Sequence, residues 1–143
     1  MSEHLTLEWV GPEALAPCLE IRRQVFVLGQ GVPEEVDRDS LEEDAAHLLI
    51  RIRGRPVATA RLRYREDAAR AERVAVLEES RGRGLGRALM DALEREARRR
   101  KLRRMTLHAQ VAVVRFYERL GYEAEGPVFE EAGIPHRAMS KAL

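Results

Sequence analysis

The feature that most constrains this chain is the run from Glu72 to Gly86, Glu-Arg-Val-Ala-Val-Leu-Glu-Glu-Ser-Arg-Gly-Arg-Gly-Leu-Gly, which passes directly into an amphipathic segment. Its first part reads as a strand. Leu85, Leu89, Leu93 and Ala97 then recur at i, i+4, i+8 and i+12, so the spacing predicts a helix over Leu85 to Arg100 with one buried face. Gly82, Gly84 and Gly86 lie at the junction. A helix that starts there leaves its first amides unpaired at the positive end of its dipole, and glycines let an anion approach the backbone closely. Arg81, Arg83 and Arg87 add charge and forked donors. The segment reads as a pyrophosphate cradle. It fits neither familiar phosphate motif. A P-loop needs Lys-Ser/Thr after its last glycine, and Gly86 is followed by Arg87-Ala88. A dinucleotide fingerprint needs Gly-x-Gly-x-x-Gly, and the spacing here is Gly-x-Gly-x-Gly.

The rest of the chain supplies strands and helices in an order that suits a single sheet. Thr6 to Val10 reads as a strand and Pro12 to Leu28 as a helix that breaks near Gly29 and Gly31; Gly31 to Asp44 reads as an acidic loop with a short helix. Leu48 to Arg53 and Val57 to Arg65 form a hairpin about Gly54-Arg55-Pro56. In its second strand Ala58, Ala60, Leu62 and Tyr64 alternate with Thr59, Arg61, Arg63 and Arg65, which predicts one buried and one polar face. Met105, Leu107 and Ala109 mark a strand, Ala112 to Leu120 a helix closed by Gly121, and Ala124 to Glu130 and His136 to Leu143 two further strands. Tyr117 falls 31 residues after Gly86, with one helix and one strand between, so both helices start at the same end of neighbouring strands and Tyr117 can face the cradle. The expected class is α/β: a central mixed, mostly antiparallel twisted sheet flanked by helices.

Length and charge bound the function. The 143 residues make one domain, 1–143, able to bury a core without staples, and the single cysteine, Cys18, excludes a disulfide framework or cysteine-rich metal site. No apolar run approaches the ~20 residues that span a bilayer, and Met1-Ser2-Glu3-His4 carries no basic-then-apolar leader, so a cytoplasmic protein is expected. The net charge of +1 hides a polarity: seven acids and one base from Glu34 to Asp44, ten bases and three acids from Arg81 to Arg104. Two patches of opposite sign imply two polar ligands or a homodimer that pairs them.

Together the motifs resemble the GNAT superfamily of acyl-CoA-dependent N-acetyltransferases. The family fingerprint Arg/Gln-x-x-Gly-x-Gly/Ala is matched by Arg81 to Gly86, and its later Phe-Tyr-Glu-x-x-Gly-Tyr/Phe block by Phe116 to Tyr122. The chain is most similar to the small bacterial YjcF/ElaA-like branch, through Arg22-x-x-Val25-Phe26-Val27, the acidic loop after Val32-Pro33, Leu107-His108-Ala109-Gln110 and Glu131-Ala-Gly-Ile-Pro-His136. It departs at Gln110, where many members have Asn, at Val113, where many have Ala, and at Gly29, where the branch has Glu.

The resemblance implies a GNAT fold and transfer of an acetyl group from acetyl-CoA to a primary amine, with no metal. Val74, Ala75 and Val76 would pair by backbone with the pantetheine arm; Arg81, Gly82, Arg83, Gly84, Leu85, Gly86 and Arg87 would hold the pyrophosphate, with Gln110 and Phe116 beside them. Tyr117 matches the general acid that protonates the leaving thiolate, a group that leaves poorly without a proton. Glu72 is the first choice for the base, ahead of His108 and His136. The acidic loop would flank the acceptor entrance and favour cations. The acceptor is a small amine or a peptide. A GNAT-fold module that holds CoA without turnover is the alternative. Neither membrane nor nucleic acid is an expected partner, because the arginines from Arg95 to Arg104 surround several helix faces without interleaved aromatics.

Overall fold

The computed structural model describes residues 4–42 and 44–143. The elements in chain order are β1 (Leu5–Val10), a 3₁₀ turn at Pro12–Ala14, α1 (Ala16–Arg22), a π-helical stretch (Arg23–Leu28), α2 (Glu34–Asp37), β2 (Ala46–Ile52), β3 (Arg55–Arg65), β4 (Ala68–Val76), α3 (Leu85–Arg99), β5 (Arg104–Gln110), α4 (Val114–Arg119), β6 (Glu123–Glu131) and β7 (Ile134–Ala142). The strands form one seven-stranded sheet in the order β1-β2-β3-β4-β5-β7-β6. Only β4 and β5 run parallel. Two-residue turns set three of the hairpin registers. Arg53-Gly54 and Ala132-Gly133 both place two successive residues at positive φ, the geometry whose twist matches that of the paired strands.

The two faces are covered differently. Leu85, Leu89, Met90, Leu93 and Ala97 of α3 pack on Leu48, Ala58, Ala60, Leu62, Ala71, Met105 and Leu107, with Tyr117 of α4 in the same core. Glu94 turns inward from α3, where Tyr122 Oη at 2.8 Å and Lys141 Nζ at 2.9 Å satisfy it and tie the helix to the last hairpin. On the opposite face α1 buries Cys18 and Ile21 against Leu49, Ala75 and Leu77, with Val25 of the π-helical stretch in the same cluster.

The alternation in β3 holds, yet its polar side is not solvated over its whole length. Thr59 and Arg61 are each 1% exposed, because α1 and the acidic loop cover them. Burying a guanidinium costs several kcal/mol unless it is paired. Arg61 donates to Asp39, Glu42 and Glu72 at 2.7–3.1 Å, and Arg22, equally buried, donates to Asp37 and to both oxygens of Glu42. Arg73 adds contacts to Asp37 and Asp39. Asp37, Asp39 and Glu42 of the loop are thus the counterions of three arginines from α1, β3 and β4. Glu43 lies outside the described residues.

The first helix departs from its expected form. It divides into a 3₁₀ turn, α1 and a π-helical stretch, with Pro17 in the first turn of α1. The wider winding ends where Gly29 N–H reaches Gln24 O; a Cβ at Gly29 would stand 3.1 Å from that oxygen, so glycine suits the tight closure. β4 begins four residues earlier than the sequence pattern indicates, at Ala68, because Ala68–Ala71 gain partners on both sides.

The ion cluster sets the acid response of the fold. Burial would raise the Asp39 carboxyl, but hydrogen bonds from Arg61 and the Leu41 amide outweigh it and hold the group at about 2, against 3.8 when unpaired. A depressed folded value gives stability that is present above the unfolded value and lost as pH falls through the folded one. Asp39→Asn is expected to lower Tm near pH 7, by a loss of ~1–3 kcal/mol. Its gap from wild type closes as pH falls from about 4 towards 2. Melting curves across that range check both statements.

Candidate active site

The site begins where the sheet parts. Pairing of β4 with β5 runs from Ala68↔Arg104 to Ala71↔Leu107 and goes no further. Glu72–Val76 therefore turns its outer backbone row towards open space, inside the sheet rather than at its rim. A bulge marks the parting point: Thr59 pairs with Ala75 and Arg61 with Glu72, so β4 carries one residue more than β3, and Arg73 takes φ +53°. The bulge brings Glu72 and Arg73 to the same arginine–carboxylate cluster. Beyond it Val74 and Val76 pack towards the α3 face and Ala75 towards α1.

The glycine loop follows directly. Gly82 and Gly84 have φ of +79° and +77°, and a Cβ on either would meet no atom within 4 Å. Gly84 is the N-cap of α3 and offers no side-chain cap, so the first amides of a 15-residue helix are left without one. Arg81 is folded back, its Nε donating to Val76 O at 3.1 Å, which fixes the end of β4. Arg87 is exposed and 4.0 Å from Asp91, and Arg83 also has a partner. Gly86 serves packing instead: a Cβ there would stand 3.0 Å from Cζ of Phe116. This contact locks α4 against the start of α3.

Phe116 in turn meets Tyr117 edge to face at 4.9 Å, and Tyr117 meets Tyr122 at 5.9 Å. Tyr117 is 7% exposed, and burial pushes its phenol up to about 12. It keeps its proton throughout the neutral range.

The face away from α3 is polar. Gln30, just past the π-helical stretch, exchanges two amide hydrogen bonds with Gln110 at the end of β5, at 2.9 and 3.2 Å. Glu72 is held by Arg61 and by Arg70 at 2.9 Å, with Arg63 at 3.3 Å, so both its oxygens are occupied. Arg70 Nη2 lies 2.9 Å from Nδ1 of His108, and Glu131 Oε1 lies 2.9 Å from the same nitrogen. His136, buried on β7, has Nδ1 on Ile134 O and Nε2 3.8 Å from Glu131. Phe129 is wedged between the two imidazoles, edge-on to His108 and stacked on His136. A groove of about 350 Å³ runs along this face past Arg63, Arg70, Thr106 and His108.

The structure thus joins Glu72, His108 and His136 into one polar surface. Sequence reasoning missed Arg70, Glu131 as the partner of both histidines, Phe129 and the Gln30–Gln110 pair. No local signal marks them, since each contact spans between 23 and 80 residues, or crosses strands. Part of the acidic loop is turned inward: Asp37, Asp39 and Glu42 pair with Arg22, Arg61 and Arg73, while Glu34, Glu35 and Asp44 are exposed. The basic helix end is likewise tied up, Arg99 and Arg100 by Glu96 and Arg98 by Glu94. Among the described residues no group of three His, Cys, Asp or Glu is arranged to hold a metal, and no helix is long and apolar enough to cross a membrane.

The packing role of Gly86 has a direct test. Gly86→Val must displace Phe116, with a loss of ~1–3 kcal/mol from overpacking. Gly82→Asn meets no neighbour and uses a residue that tolerates positive φ, so its Tm is expected to stay near wild type. Thermal melts of the two variants compare the effects.

Known proteins resemble this chain in sequence and in fold. Residues 10–143 match the acetyltransferase (GNAT) domain family. The uncharacterized N-acetyltransferase YjcF of Bacillus subtilis is 35% identical over 130 residues, covering 90% of this chain and 93% of that protein. The crystal structure of Escherichia coli ElaA superposes with a TM-score of 0.83 at 28% identity, over 96% of this chain and 99% of that one. The PaiA N-acetyltransferase of Thermoplasma acidophilum, solved in complex with coenzyme A, shares the fold at a TM-score of 0.79 and 15% identity, covering 100% of both chains. With the parted β4–β5 pair, the glycine cradle and Tyr117 in place, the chain belongs to the GNAT family of acetyltransferases.

Proposed function

We propose that this protein transfers the acetyl group of acetyl-CoA to a primary amine. The observation that carries the reading is the unpaired backbone row of Glu72–Val76, which leads straight to the open amides at Gly84. An extended amide-bearing chain can add to such a row as a strand does, and a pyrophosphate suits the helix start beyond it. Val74, Ala75 and Val76 supply the strand contacts. The amides from Gly82 to Arg87 take the phosphates, Leu85 and Phe116 hold the helix start in place, and Gln110 flanks the opposite wall. Arg81 shapes the strand end, while Arg83 and Arg87 add positive charge.

Bound acetyl-CoA supplies an activated carbonyl and a thiolate leaving group. Tyr117 meets that sulfur as a proton donor. A phenol at about 12 is a weaker acid than a thiol, whose ordinary value is about 8.5. Burial raises the thiol in the same direction, so Tyr117 stabilises the departing sulfur by a hydrogen bond as charge builds and hands over its proton late. Glu72, with three guanidiniums on its two oxygens, orders the arginines beside the acceptor. Acceptors approach from the polar face, since α3 and α4 cover the other.

Two variants test the halves of this reading. Gly84→Asn, a residue that tolerates the φ of +77° there, puts a side chain into the phosphate path and is expected to weaken CoA binding strongly by isothermal titration, with a melting curve confirming the fold. Unchanged affinity removes the phosphate assignment. Tyr117→Phe keeps the ring and its packing and is expected to lower kcat ~10²-fold or more in an acetyl-CoA thiol-release assay over a panel of amines, with CoA affinity retained. Full kcat in this variant removes Tyr117 from the chemistry. Tight CoA binding by the wild type with no turnover on any amine favours a binding module.

A further inference from the structure

We infer that His108 is the base that takes the acceptor's proton, and that Glu131 and Arg70 are positioning residues that hold it ready. The inference rests on the acetyl-transfer reading above. An amine near neutral pH arrives as an ammonium and must lose a proton before its nitrogen can attack the thioester carbonyl. As the C–N bond forms, the C–S bond breaks, the sulfur takes the proton that Tyr117 presents, and the second proton of the nitrogen restores the phenol. The first proton, shed before attack, needs a receiver on the polar face.

Glu72 fits that task poorly. Both its oxygens are already engaged by Arg61, Arg63 and Arg70. His136 is buried, with Nδ1 on the Ile134 carbonyl and only 8% of its side chain exposed. His108 is 28% exposed and lines the groove. Its Nδ1 lies 2.9 Å from Glu131 Oε1 and donates its proton there, which leaves Nε2 as the basic nitrogen. Arg70 Nη2 stands 2.9 Å from Nδ1 and 3.4 Å from Nε2, over the ring and not in line with either lone pair, so it holds the imidazole without occupying Nε2. The Nδ1–H keeps its carboxylate partner in both protonation states, so the ring can gain and lose a proton at Nε2 without rearrangement of its neighbours. Phe129, edge-on at 4.9 Å, fixes the ring plane.

Arg70 of β4 and Glu131 of β6 contact His108; Glu72 reaches it through Arg70 and His136 of β7 through Glu131, Arg63 of β3 reaches the same Glu72, and Arg65, Glu66, Asp67, Arg104 and Glu125 line the same groove. The signs of Arg70 and Glu131 yield opposed expectations. Glu131→Gln removes the charge that favours imidazolium, so the acidic limb of the kcat/KM profile moves to lower pH. Arg70→Gln removes a cation that opposes it and releases Glu72, so the limb moves to higher pH. Each shift is expected to be roughly 0.5–1 pH unit, modest because the cluster is part-exposed. The imidazole titration of His108, followed by NMR in the protein without acetyl-CoA, should move in the same two directions. That readout is independent of turnover.

The rate test uses propylamine, which is protonated at pH 7, and hydroxylamine, which is not. His108→Gln is expected to lower kcat/KM for propylamine ~10²-fold while changing hydroxylamine far less, with an unchanged melting curve. Equal losses for both amines, or no loss for propylamine, would overturn the assignment, as would NMR titrations that move together or not at all. Wild-type protein that releases no thiol with either amine defeats the acetyl-transfer reading and this inference with it. Turnover by the wild type with His108→Gln unaffected defeats this inference alone. If His108→Gln unfolds, Glu131→Gln and Arg70→Gln still decide through their opposed shifts.

Discussion

The structure depends on a parallel pair of strands that separates after four registered residue pairs. β4 and β5 are held together at their start, where Ala69, Ala71, Met105 and Leu107 share the core under α3. They part where β4 gains a residue at the bulge and takes Arg73 into positive φ. A buried sheet normally pairs every amide and carbonyl, and an opened row is costly unless water or a ligand satisfies it. The fold keeps that opening by anchoring both sides elsewhere. β4 remains bonded to β3 and β5 to β7, while Phe116 against Gly86 clamps the helices that follow the two strands.

On the opposite face, electrostatics takes over from apolar packing. Arg22 and Arg61 are almost completely buried and would be untenable alone. Asp37, Asp39, Glu42 and Glu72 neutralise them in one connected set that spans α1, the acidic loop, β3 and the bulge. The set continues through Arg70 to His108 and Glu131. This polar face is therefore built as a chain of charge pairs, each dependent on the next. A chain of this kind trades stability for geometry, since an apolar core of similar volume is often as stable or more so. Its benefit here is a fixed arrangement of donors and acceptors around the parted strands.

The glycine loop was legible because its geometry is local. Positive φ at Gly82 and Gly84 and the start of α3 are all set within a few residues, and glycine spacing reports them. The helix period from Leu85 to Ala97 was equally plain. Arg61 shows the limit. Alternation placed it correctly on the polar side of β3, but whether that side meets water or α1 depends on elements 20 to 40 residues away in sequence. The acidic loop shows the same limit: nothing in its sequence separates Asp37, Asp39 and Glu42, which pair with arginines of α1, β3 and β4, from the exposed Glu34, Glu35 and Asp44.

By itself, then, the sequence determined the strand–cradle–helix unit, the order of elements, the tyrosine helix and the family, because these rest on backbone preferences and short-range periodicity. Only the tertiary structure decided where β4 leaves β5, that Gly86 answers to Phe116, that Glu72 is held by three arginines, and that His108 stands between Arg70 and Glu131. Those features arise from contacts between distant strands. The energy of such contacts is set by burial and mutual charge, which the chain acquires only when the sheet has formed.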